Sequence, residues 1–296
     1  MDRAALVEVV VEQLRAGDEI PLRRLLLQLP REFATYSKEP RGINRAADTL
    51  DRCAALLIEF LVIGRNDLFN DLFHRLVASF ESAVANPHPA SAFPAPVLGL
   101  MQMERVYAVG AFAVREKRFD LVARMAAERV QDGRTGLSEP WLVTTQRVAR
   151  QHDFLKTVDA HRPEHTWLIG RALDAVSQNE WLAPDAHPGD EGITTSLCEF
   201  DLLVSVASMN DAGHADPRFA LGNFAGWFSG RTDPMAVTLV DEQSPVRQAV
   251  CPRDDEFLAN ALAVIENVAQ TRWGVLVPAW DGFEDARVSD LIATVR

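Results

Sequence analysis

The chain has 296 residues, 48% hydrophobic and 24% charged, ordinary proportions for one large globular domain or two average ones. Acidic side chains outnumber basic ones by 42 to 30, and the net charge of −12 sets a field that repels nucleic acid and anionic membrane, so neither is an expected partner. Cys53, Cys198 and Cys251 are odd in number and far apart, which excludes a disulfide framework or a C-x-x-C metal pair and leaves buried free thiols in a reducing cytoplasm.

The first residues, "MDRAALVEVVVEQLRAGDEI", are amphipathic and interrupted by acids, unlike a secretory leader. The most apolar run, "CAALLIEFLVIG" at 53–64, contains Glu59 and is too short to span a bilayer. The surrounding segment is helical by periodicity: Leu50, Cys53, Leu57, Phe60 and Leu61 recur at steps of three and four, as do Leu68, Leu72, Phe73, Leu76 and Phe80 in the next segment. Only "RND" separates the two, which predicts an antiparallel hairpin. A loop rich in proline follows at 86–96, then a helix, a tight turn at Arg115–Arg118 and a second helix across 103–130. Further helices are expected at 139–151, opened by Ser138 ahead of Pro140, and at 163–178.

The polar loop "APDAHPGDEG" at 183–192 is the natural boundary between a domain at 1–182 and a second at 193–296. Beyond it the pattern predicts helices at 194–209, 217–229, 234–241, 254–271 and 285–295. The acids of "PRDDEF" suit the positive end of a helix dipole. One short piece, "WGVLVPAW" at 273–280, could be extended, but a lone strand makes no sheet. The fold class is all-α: an irregular, solenoid-like stack of antiparallel helical hairpins with a helical C-terminal subdomain.

Within 103–130, Val109 and Gly110 are followed by Phe119 and Val122. This resembles the tetratricopeptide repeat, in which a Leu-Gly pair lets two helices approach and an aromatic residue restarts the second. The early Trp, the helix-A tyrosine and the closing proline of that repeat have no counterpart. At 50–80, Phe69 and Leu72 occupy comparable places, with Phe60 where the glycine belongs. A solenoid needs about three stacked units, and two are defensible here. "SLCEFDLLV", "NFAGWFSGRTDP" and "WDGFED" are similar to helical regions appended to multidomain bacterial proteins, which implies a sensing or docking role beside an active module.

Several strings invite a chemical reading. In "HRPEH", His161, Glu164 and His165 match the H-x-x-E-H pattern of inverted zinc peptidases, whose histidines must share one helical face. Pro163 belongs in the first turn of the following helix and strands His161 outside it, so no metal is expected there. "GNFAGWFSGRT" at 222–232 ends one residue away from a phosphate loop, yet Ala225 stands where the first glycine belongs, Arg231 replaces the lysine, and no strand leads in. Gly222 and Gly226 instead share a helical face suited to a close crossing, with Gly230 as a cap. No cofactor is expected. In "WDGFED", Trp280, Asp281 and Phe283 combine aromatic and acidic groups on a turn, the composition of a partner-docking knob.

The sequence therefore predicts a non-catalytic helical scaffold or sensor that binds a protein partner or a second copy of itself, in the cytoplasm. The competing readings are an enzyme whose site is assembled from residues distant in sequence, and a sensor that holds a small ligand between helical layers.

Overall fold

The computed structural model describes residues 3–37, 39, 42–85, 95–131, 138–141, 143, 176, 191–220 and 233–273. About 81% of them are helical, so the fold is all-α. In chain order the helices are α1 (Arg3–Ala16), α2 (Glu19–Tyr36), α3 (Ile43–Val62), α4 (Asn66–Ala85), α5 (Ala95–Arg115) and α6 (Phe119–Ala127). A two-stranded hairpin follows, β1 (Arg129–Gln131) and β2 (Ser138–Pro140), and then α7 (Glu191–Ala212), α8 (Asp233–Val240), α9 (Pro245–Val250) and α10 (Asp255–Trp273).

The chain forms two compact units. The first gathers the described residues up to Val109 with Glu128–Gln131, Ser138–Trp141, Val143 and Val176; the second gathers Gly110–Ala127 with the described residues from Glu191 onward. Segment 110–127 thus goes with the C-terminal residues, although it lies well before the polar loop at 183–192.

In the first unit α2, α3 and α4 pack on one another, with α1 against α2 and α3. The hairpin expected at 50–80 is present. Leu50, Cys53, Leu57, Phe60 and Leu61 are all buried, as are Leu68, Leu72, Phe73 and Leu76. The turn between α3 and α4 is closed by Gly64 at φ +76°, a conformation that glycine adopts without a Cβ clash, while the Arg65 N–H reaches back to the Phe60 carbonyl at 2.9 Å. Phe69 and Phe73 stack at 6.0 Å, and the Trp141 ring meets Phe73 edge-on at 5.3 Å.

In the second unit α7 packs on α6, α9 and α10, and α9 on α6 and α8. Gly110 has a specific part here. A Cβ on it would overlap the buried Phe200 ring, so the glycine admits a side chain from α7. Gly192–Ala212, within α7, is the one described helix long and apolar enough to cross a membrane, and most of it is buried inside the unit.

Three expectations change. The second of the two helices predicted within 103–130 ends at Ala127, and Ser138–Pro140 is a strand rather than a helix start. Arg129 accounts for this: its guanidinium bonds both the Ser138 hydroxyl, at 3.1 Å, and its carbonyl, at 2.8 Å, drawing the two segments into an antiparallel pair. Pro140 takes the last position of β2, where the missing N–H is tolerated. The start of the helix expected at 217–229 is a turn, with Asp216 accepting from the Arg218 N–H at 2.8 Å and from its guanidinium. The rest of that helix, the helix expected at 285–295 and the extended piece from Gly274 onward lie outside the described residues.

Candidate functional site

Helix α2 has two faces of different character. Leu22, Leu26, Leu29, Pro30 and Phe33 are buried on one side, spaced to form a continuous apolar stripe. On the opposite side Ile20, Arg24, Leu27, Arg31 and Thr35 follow one another at steps of three and four, so they share an outward stripe. Ile20 is 64% exposed. Further along, Arg24, Leu27, Gln28, Arg31, Glu32, Thr35 and Tyr36, all of α2 itself, line a shallow open groove of about 340 Å³. Arg24 and Arg31 stand two turns apart, roughly 10 Å along the axis. Gln28 donates to Glu32 at 2.6 Å, and the Arg45 guanidinium lies 3.8 Å over the Tyr36 ring, which holds the far end of the groove in place.

The start of α2 is tied to the α3–α4 turn. Asp18 caps the helix by accepting from the Ile20 N–H, and Glu19 binds Arg65 at 2.8 Å and Arg23 at 2.9 Å. Arg65 also grips Asp67 at 2.8 Å. The guanidinium of Arg65, with that of Arg23, lowers the pKa of the Glu19 carboxyl, and Arg65 holds that of Asp67 down at about 2. Exposed Val62 and Ile63 immediately precede this turn. Apolar groups therefore flank a fixed charge cluster where the outward stripe of α2 begins.

Several polar groups inside the first unit are paired with one another. Arg105, on α5, bonds Asp51 at 2.9 Å and Glu104 at 2.6 Å, and all three are nearly enclosed. Gln102, one turn earlier, is fully buried with both amide atoms unpartnered. On α4, His74 Nδ1 lies 2.8 Å from Glu128 Oε1. In the second unit the buried Arg247 guanidinium bonds the Arg253 carbonyl and Asp255 Oδ1. Cys53, Cys198 and Cys251 are free and buried; burial pushes Cys53 up to about 12 and raises Cys251. Among the described residues no three His, Cys, Asp or Glu side chains converge on a position that could hold a metal ion.

The residues singled out by motif, His161, Glu164 and His165, Gly222 to Gly230, and Trp280, Asp281 and Phe283, all lie outside the described residues. The α2 stripe carries no motif. Its signal was the 22-26-29-33 spacing of apolar residues, which a proline at position 30 makes easy to pass over. Comparison with family models, curated proteins and solved structures finds no match to this chain.

Proposed function

We propose that this chain is a helical scaffold that docks a protein partner along the outward stripe of α2. The observation that carries the reading is the stripe itself, with apolar Ile20 and Leu27 alternating with Arg24 and Arg31, the last three residues lining the groove. This is the pattern that receives an amphipathic segment, with apolar anchors in the groove and acidic groups on the arginines. The charge cluster of Glu19, Arg65 and Asp67 fixes the orientation of the helix start, so the docking face is preorganised. The role expected from the sequence, binding a partner or a second copy and regulating an associated module, is the function this surface supports best.

The test is a photo-crosslinking residue at position 27, expressed in the source cells, with a matched probe at exposed Val237 in the second unit. The expected result is a discrete adduct at position 27, lost when Arg24 and Arg31 are both changed to Glu, and absent at position 237. An adduct indifferent to the charge reversal, or none at position 27, would sink the reading. Sedimentation of the purified chain across a concentration series tells a second copy from a foreign partner.

A further inference from the structure

The described residues include two histidines with mostly exposed rings, and their environments differ at the nitrogen that could react. His214 is 56% exposed. Its Nδ1 lies 3.0 Å from the Ala212 carbonyl, and its Nε2 faces Asp216 at 3.7 Å. Both nitrogens therefore meet an acceptor. His74, 63% exposed on α4, is engaged among the described residues at Nδ1 alone.

The group behind His74 is held firmly. The Glu128 carboxylate is only 8% exposed. Its residue immediately precedes β1, which packs on α4, and its backbone carbonyl accepts from the Trp141 N–H at 2.9 Å. The Trp141 ring in turn meets Phe73, the neighbour of His74. A carboxylate oxygen that accepts from Nδ1–H places the proton there and leaves Nε2 of the neutral ring with its lone pair. A carboxylate in this position fixes the tautomer and stabilises positive charge that develops on the ring as Nε2 is modified.

We infer that His74 is a phosphoryl-acceptor site, modified at Nε2 by an acyl phosphate or phosphoramidate donor brought to the outer side of α4. Such a transfer asks little of the acceptor beyond a positioned lone pair and nearby compensating charge, which a surface imidazole backed by a buried carboxylate supplies. The Nε2 lone pair forms the N–P bond as the bond from phosphorus to the donor's oxygen or nitrogen breaks. The leaving group departs with that electron pair, an amine taking its proton from water. The Nδ1 proton stays between the ring and Glu128. The product places a dianionic group on an otherwise unmodified helix face, a change large enough to alter what can approach it. This inference does not depend on docking at α2.

The test is reaction of the full chain with potassium phosphoramidate, with phosphohistidine mapped by mass spectrometry under non-acidic conditions. His74 is expected to be modified about tenfold faster than His214, and Glu128→Gln, which keeps shape but removes charge, to slow His74 about tenfold while His214 is unchanged. His74→Gln abolishes the signal from its peptide. Equal rates at His74 and His214 in the unaltered chain would overturn the inference whether or not the variant folds. A Glu128→Gln chain with native circular dichroism and an unchanged His74 rate would overturn it as well.

Discussion

Helices α2 and α7 are of similar length and sit in different units, yet they use their surfaces in opposite ways. In α2 one stripe is buried and the other faces outward with Ile20, Arg24 and Arg31. In α7 every residue from Phe200 to Met209 is buried, including Asp201, Ser205 and Ser208. A helix enclosed all round is committed to the core, and its polar groups must find partners inside. Ser205 does so by bonding the Asp201 carbonyl at 2.8 Å, while the Ser208 hydroxyl has no partner. A helix with one free face can accept changes there without unfolding, which is the condition for evolving an interaction. Altering α7 should therefore unfold, and altering the outer side of α2 should only unbind.

The sharpest way to break that contrast is at Phe200. Phe200→Ala removes a fully buried ring and should cost about 3–5 kcal/mol in urea unfolding of the chain. Gly110→Val attacks the same contact from the other side, because its Cβ would overlap the ring, and should cost about 1–3 kcal/mol. Combined with Phe200→Leu, part of that loss should return, and strict additivity would show that the glycine is not there to admit the ring.

Next in size is Arg105→Met, which leaves Asp51 and Glu104, both nearly enclosed, without their shared cation. A loss of about 3 kcal/mol is expected by chemical denaturation. A neutral result would place those carboxylates in water.

A smaller effect belongs to Glu199 on α7, whose carboxyl is pushed by burial up to about 7, from an ordinary value of 4.5. The folded chain thus holds that proton more tightly than the unfolded chain. Its contribution to stability is fully present below about pH 4.5 and is lost progressively as pH rises through 7. Glu199→Gln should flatten this slope and, allowing for partial exposure, raise stability at pH 8 by about 1 kcal/mol. A slope unchanged by the substitution would assign it to other groups. Smallest of all, Ile20→Asp should shift stability by no more than about 0.5 kcal/mol while weakening the position-27 adduct. A large loss of stability instead would mean that the stripe is packed rather than free.

Much of this fold could be read from the sequence, for reasons visible in particular residues. The α3–α4 hairpin announces itself because its apolar spacing is uninterrupted and its turn is only a few residues long. The cap of α10 was equally plain: Asp254 accepts from the Phe257 N–H at 2.8 Å, with Asp255 and Glu256 in the first turn. Three helices escaped. The first residues read as amphipathic without marking out α1, Pro30 lies inside α2 and disguises its period, and α9 has only six residues, held by Ser244 accepting from the Arg247 N–H with Pro245 at its first position. The small strand pair escaped because each strand has only three residues and the Arg129 guanidinium that helps join them reaches across nine residues, which no local pattern encodes. The same holds for chemistry. His74 and Glu128 are 54 residues apart, and the outward stripe is defined by what α2 does not bury, a property of the fold rather than of any motif.

The three enclosed thiols give the molecule its own clocks. Cys53 belongs to the first unit, and Cys198 and Cys251 to the second. A buried thiol reacts with an alkylating reagent only when its surroundings open, so the labelling rate at each cysteine measures the opening free energy of its own unit. Equal rates at Cys53 and Cys198 would mean that the chain opens as a single cooperative body. Unequal rates would identify the unit that yields first, without a single substitution in the protein.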